Sequence, residues 1–150
     1  RAHEADVAFL NQVEKVQAAV DIVLGNRNDA DVFYAGLDIV ALTSLNEGTP
    51  LSLIEGMANS RAVISNAVGG VIDLLGEAKN EEASYTVCQR GIRVLLNDSQ
   101  GFLEGLRYLA GDEKLRQEFG EDGRAFIFSK YSKETLIRNI KTLYDDLTKG

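Results

Sequence analysis

The sequence predicts an α/β fold: a doubly wound parallel (Rossmann-like) sheet of about four strands with a helical C-terminal third. Three observations predict it. Short apolar runs recur through the first two-thirds of the chain, and each is separated from the next by a helix or loop. The runs are continuous rather than alternating, as in strands buried on both faces. After residue 98 the apolar spacing becomes i, i+3/i+4 without interruption.

Residues 4–19 place Val7, Leu10, Val13 and Val16 three apart, a helical spacing. Val20 to Leu24 reads as a first strand closed by Gly25, and Asp29 as the cap of a helix through Val32, Phe33 and Leu37. Ile39 to Leu42 is a second strand. Pro50 to Ala58 is a short helix, with Thr49 as N-cap and Pro50 in the first turn, where its missing N–H costs nothing. Ala62 to Ser65 and Gly91 to Leu96 complete the strands. Residues 76–90 are polar and acidic and read as an exposed excursion before the last strand. Helices then begin at Asp98–Ser99, Asp112 and Ser132, and their apolar stripes are expected to pack against the sheet edge.

Composition excludes several functions. The 150 residues suit one domain, and 45% hydrophobic with 26% charged residues is ordinary for a globular chain. A net charge of −7, from 16 basic and 23 acidic residues without a basic block, argues against binding nucleic acid or anionic lipid through the overall field. His3 is the only histidine and Cys88 the only cysteine, so an internal disulfide is impossible and no metal site is expected. No segment has the roughly 20 apolar residues that span a bilayer, and no signal-peptide core is present, so a cytoplasmic setting is expected, with peripheral attachment at the inner face of a membrane left open.

The stretch that carries chemistry is Ser44 to Ala58 (SLNEGTPLSLIEGMA). It follows the carboxyl end of an expected strand, where open α/β sheets hold ligands. A helix starting at Pro50 leaves the N–H groups of Leu51, Ser52 and Leu53 without intrahelical partners, at a terminus bearing about half a positive charge. Gly48 permits close backbone approach just before it. A diphosphate fits such a terminus. Glu47 precedes the helix, and Glu55 lies roughly 7 Å along its axis. Ionised carboxylates accept strong hydrogen bonds from hydroxyls, so one could hold a sugar and the other a ribose diol. Spacing alone favours the plainer alternative, with Glu47 a solvated loop residue and Glu55 a helix-dipole partner.

A longer ordered series resembles the C-terminal domain of the GT-B glycosyltransferases, in the retaining group 1 (family 4) branch. It comprises Gly25 to Asp29, Leu37 to Ser44, Glu47 with seven residues before Glu55, Gly56-Met57-Ala58, Ala62 to Ser65, Val68 to Val71, Arg90-Gly91, Tyr131-Ser132 and Leu143-Tyr144. The resemblance implies that residues 1–150 form one nucleotide-sugar-binding domain that takes a UDP-, GDP- or ADP-linked sugar without metal or cofactor. It assigns the donor sugar to Glu47, Gly48 and Thr49, the diphosphate to Leu51 and Ser52, the ribose to Glu55, and the base side to Arg27 and Asn28. Arg27 either stacks on the base or is solvated. Gly69 and Gly70 are expected as turn residues beside the site.

The series departs from the family in one turn. Asn59-Ser60-Arg61 stands where members carry Gly and Pro, and Asn59 is expected to take the left-handed cap position. The family's diphosphate-neutralising Arg and Lys, and its N-terminal acceptor domain, have no counterpart in the sequence. The chain therefore reads as a fragment or one half of a split hexosyltransferase, inactive alone. Two other readings stay open: an epimerase-like GT-B half, and a non-catalytic α/β interaction module. A receiver-type domain does not fit, because the acidic cluster and the late Lys it needs are missing.

Overall fold

The computed structural model describes residues 28–148. The helix expected over 4–19, the strand over 20–24 and Arg27 lie outside the described residues. The elements are α1 (Ala30–Ala35), β1 (Ile39–Leu42), α2 (Leu51–Ala58), β2 (Ala62–Asn66), α3 (Val71–Leu75), β3 (Ala78–Glu81), β4 (Thr86–Cys88), β5 (Ile92–Val94), α4 (Ser99–Gly111), α5 (Glu113–Tyr131) and α6 (Lys133–Thr148). The fold is α/β, as the sequence predicts. Asp29 does stand at the N-cap of α1, but that helix ends at Ala35, short of Leu37.

The five strands run in the order β1-β2-β5-β4-β3. β1 pairs with β2, and β2 with β5, in parallel, whereas the β4–β5 and β3–β4 pairs are antiparallel. The expected excursion over 76–90 therefore contains a hairpin that extends the sheet. Its polarity has a physical reason. β3 is an edge strand, exposed at all four residues, and charged side chains such as Lys79 and Glu81 guard an open edge. Only Val87 and Cys88 of the hairpin's second strand turn into the core.

β2 divides the core. Val63 faces one side, with Leu53 and Met57 of α2 and Leu74 and Leu75 of α3. Ala62 and Ile64 face the other, with Ile92, Leu109 of α4 and Phe119 of α5. This is the period-two alternation of a strand covered on both faces. The helix starts at Asp98, Asp112 and Ser132 are capped as their residue types dictate. Asp98 accepts from the Gly101 N–H at 2.7 Å, Asp112 from Leu115 at 2.9 Å, and the Ser132 hydroxyl from Thr135 at 3.2 Å.

Two expectations need correction. The left-handed residue after α2 is Ser60, with φ 58°, not Asn59. Asn59 remains near helical dihedrals, and both its N–H and its side-chain amide bond the Glu55 carbonyl. The next two N–H groups then close back on the helix, Ser60 to the Met57 carbonyl and Arg61 to that of Gly56, so the reversal falls one residue later. The carbonyl of Ser60 meets Gly120 of α5, where a Cβ would clash with it. The C-terminal helices do not all pack against the sheet either. α6 touches mainly α5, and its apolar stripe, from Leu136 through Ile140 and Leu143 to Leu147, is exposed.

Because an L-residue in the left-handed region is strained, Ser60→Gly is expected to stabilise the fold by about 0.5–1 kcal/mol. Gly120→Ala, whose methyl would press on backbone rather than a movable side chain, should cost about 1–3 kcal/mol. Urea unfolding of the two variants beside the parent checks both signs.

Candidate ligand site at the carboxyl edge of the sheet

The stretch that the sequence singles out forms the loop from Thr43 to Pro50 and the helix α2, at the carboxyl end of β1. Its first turn is held from β2. The buried Asn66 side chain donates to the carbonyls of Thr43 at 3.1 Å and Ser44 at 3.2 Å. Its middle is held by the turn after β2, where the Gly70 N–H donates to the Gly48 carbonyl at 2.7 Å. That turn lies so close to the loop that a Cβ on Gly69 would overlap the Glu47 carbonyl, and one on Gly70 the Gly48 carbonyl. Gly69 also has φ +46°, a region that suits glycine. The glycine pair is thus a backbone clamp on the loop, as expected of turn residues beside the site.

The helix begins one residue later than expected. Pro50 has extended dihedrals and is the N-cap itself, its carbonyl accepting from Ile54 at 3.3 Å. A proline has no N–H to give and restricts the residue before it, so Thr49 stays outside the helix. No side chain caps this terminus. The N–H groups of Leu51, Ser52 and Leu53 have no acceptor within the helix. Gly48, just before them, faces open space, since a Cβ there would meet nothing within 4 Å.

Glu47 and Glu55 are both half-buried, in the loop and in the helix respectively. With α2 starting at Leu51, Glu55 lies roughly 6 Å along the axis from the first helical residue. Sequence reasoning missed Tyr34 of α1, a buried tyrosine that feels the Glu55 charge. The residue is only 8% exposed. Burial first, and the Glu55 charge second, hold the Tyr34 phenol above its ordinary pKa. A lone hydroxyl within the otherwise apolar run Val32 to Ala35 was the only signal for it. Asn66 was also missed, although a polar residue directly after a buried apolar run marks a strand's carboxyl end.

The structure thus brings Glu47, Gly48, Thr49, Leu51, Ser52 and Glu55 together on one loop–helix unit. Asn28 is exposed at the start of the described residues, ahead of α1. Behind the loop, on the α4 side, a separate cavity of 310 Å³ is lined by Thr43, Leu45, Asn66, Phe102 and Leu106 and contains neither glutamate. Leu45, Leu51 and Leu95 are each at least two-thirds exposed along the same carboxyl edge.

A Rossmann-like layer that presents free helix amides between two carboxylates is suited to a ligand carrying both an anion and hydroxyls. Comparison with known proteins agrees with that class. Residues 10–126 match the family model described as glycosyl transferases group 1, and the chain belongs to that family. It is 26% identical over 146 residues to a capsular polysaccharide biosynthesis glycosyltransferase of Staphylococcus aureus, covering 97% of this chain and 34% of that protein. The C-terminal domain of a group 1 glycosyl transferase of Francisella tularensis superposes with TM-score 0.62 at 26% identity, over 86% of this chain and 65% of that one. An Anabaena protein solved in complex with UDP-glucose has the same fold, with TM-score 0.69 at 18% identity over 95% of this chain and 38% of that one. The chain spans about a third of the length of the curated relatives it matches.

The Tyr34 environment gives a pH signature. Folding raises the phenol's pKa above the unfolded value of about 10, so its contribution is complete below that pH and is lost as pH rises through the folded value. Tyr85, raised by burial and by Glu82, acts in the same direction. Tyr34→Phe is therefore expected to make the alkaline fall in stability shallower without abolishing it, read from urea midpoints between pH 8 and 11.

Proposed function

We propose that this chain is the donor-binding part of a retaining glycosyltransferase of the hexosyltransferase type, which uses a nucleotide-diphosphate sugar without metal. The observation that carries the reading is the uncapped N-terminus of α2, with the open face of Gly48 before it and Glu47 and Glu55 on either side. In this reading the diphosphate sits on the amides of Leu51 and Ser52, which offer hydrogen bonds and the positive end of the helix dipole. Glu47, Gly48 and Thr49 face the transferred sugar, Glu55 takes the ribose diol, and Arg27 and Asn28 border the base. Each carboxylate meets hydroxyl donors and keeps away from the phosphates, which resolves the apparent conflict of charges.

The family membership and the activities of the relatives support a transferase. The Anabaena complex with UDP-glucose supports the class of donor. The parent reaction breaks the bond between sugar and diphosphate, and negative charge grows on the leaving group. The residues grouped here supply amides but no cation for that charge. We infer that the cations lie outside the residues grouped here, and that the acceptor site belongs to an N-terminal domain that closes over this edge, in the same chain or another. The exposed Leu45, Leu51 and Leu95, and the apolar stripe of α6, support such a cover. The chain alone is then a binding unit without turnover, acting in the cytoplasm.

Calorimetric titration with UDP-, GDP- and ADP-linked sugars tests the reading, and one of the three should give heat. Glu47→Gln and Glu55→Gln are each expected to weaken that donor roughly 10- to 100-fold, the worth of a charge-assisted hydrogen bond. Gly48→Ala is the sharper probe. Its methyl enters open space, so stability should stay within about 0.5 kcal/mol while donor affinity falls. A Gly48→Ala protein that binds the donor as tightly as the parent removes the ligand from this loop.

A further inference from the structure

β1 and β2 end together, and Asn66 stands at that end. The ladder between them stops at the Leu42–Ser65 pair, so Thr43 would be the next partner of Asn66. The Asn66 main chain is paired on its other side, with Val94 of β5. Toward β1 it presents its side chain instead. The amide Nδ2 donates to the Thr43 carbonyl at 3.1 Å and to the Ser44 carbonyl at 3.2 Å. Successive carbonyls of an extended strand point to opposite sides. Two that meet one nitrogen show that the chain has left the extended path here and turned toward the Glu47–Gly48 peptides. Packing does not impose that turn. Leu45 is 68% exposed, and behind the loop lies the 310 Å³ cavity that Asn66 itself lines. Asn66 is only 7% exposed, so its two bonds form where water competes little.

We propose that Asn66 is a positioning residue for the donor sugar: it sets the path of residues 43–47, and with it the place from which Glu47 meets the sugar hydroxyls. This rests on the donor-binding reading above. Only Leu45, Asn46 and Glu47 lie between the Ser44 carbonyl held by Asn66 and the Gly48 carbonyl held by the Gly70 N–H at 2.7 Å. A span that short, pinned at both ends, has few conformations. Glu47 is therefore delivered with little ordering left for the ligand to impose. Releasing the Asn66 end frees the Glu47 side of the loop. It leaves the Gly70 clamp in place, and with it the amides of Leu51 and Ser52, which belong to a helix held by its own packing on β1 and β2. The two halves of the donor thus depend on different anchors, the sugar on Asn66 and the diphosphate on α2.

The test uses the full chain, the nucleotide sugar that binds best among UDP-, GDP- and ADP-glucose, and the matching nucleoside diphosphate without the sugar. Asn66→Ala removes both hydrogen bonds and should weaken the nucleotide sugar roughly 5- to 30-fold, and the nucleoside diphosphate less than about 2-fold. Asn66→Ser, which keeps one donor, serves where the alanine variant does not fold, and the same split is expected at about 3-fold or more. In a Glu47→Gln background, Asn66→Ala should change the affinity for the nucleotide sugar by less than about 2-fold, because residues acting through one carboxylate are not additive. A merely structural role lowers both affinities alike, so equal losses on the two ligands overturn the positioning role even in a destabilised variant. An unchanged affinity for the nucleotide sugar, where Glu47→Gln alone weakens it, overturns the role as well and leaves the donor-binding reading standing. A parent chain that binds no nucleotide sugar, or that loses nothing on Glu47→Gln, refutes the sugar role of Glu47 and this inference with it.

Discussion

The arrangement of the candidate site depends on one backbone contact, the approach of the Gly69–Gly70 turn to the Glu47–Gly48 peptides. Two parallel strands end side by side, and the loops leaving them must either diverge or touch. Here they touch, because neither glycine has a Cβ to hold the loops apart, and the Gly70 N–H closes on the Gly48 carbonyl at 2.7 Å. This leaves the other face of Gly48 open and fixes the direction in which the chain enters α2. Asn66 adds a second restraint at the loop's first residues. The free amides of α2 therefore project from a frame held at three carbonyls, which is the kind of rigidity that lets a loop bind without a large ordering cost.

Much of the fold was legible because burial on both faces writes a simple pattern. Val40, Val63, Ile64, Ile92 and Val94 all fall in runs that read as strands, and all are buried. The helix starts were equally clear, since Asp98, Asp112 and Ser132 are residues that prefer to cap and do so. The hairpin of β3 and β4 was not legible. An edge strand such as Ala78 to Glu81 is solvated on both faces and needs no apolar residue, so only its partner's Val87 and Cys88 carry a trace of it. The fate of α6 was hidden for the opposite reason. Amphipathic spacing reports that a helix has an apolar face without saying what covers it, and in residues 28–148 that face of α6 is exposed.

The candidate site divides in the same way. The loop–helix unit is contiguous in sequence, and its chemistry, a glycine and proline before an apolar helix with a carboxylate at each side, is local. Tyr34 and Asn66 act on that unit from other elements, one from the preceding helix and one from the next strand. The groups they act on, the Glu55 carboxylate through its charge and the carbonyls of Thr43 and Ser44 through hydrogen bonds, lie about twenty residues away in the chain. No periodicity encodes such pairs. Ser60 shows the related limit within one turn: residue type favoured Asn59 for the left-handed position, and the doubly bonded Glu55 carbonyl moved it along by one.

On the proposed function, charge decides what this unit does alone. A helix terminus offers about half a positive charge, spread over amides that are fixed in place. That suffices to orient a diphosphate in the ground state, because hydrogen-bond geometry carries the specificity. It falls short in the transition state, where the sugar–phosphate bond lengthens and negative charge concentrates on the leaving oxygens. Stabilisation there must come from groups that strengthen as the charge develops, in a site closed to water. The described edge is open, rimmed by exposed Leu45, Leu51 and Leu95, and its only ionised groups in the signature stretch are acidic. Closure by a second domain would shield the apolar rim and exclude water from the leaving group. In the proposed reading, binding and turnover therefore separate physically: the amides of α2 hold the donor, and turnover needs groups beyond them.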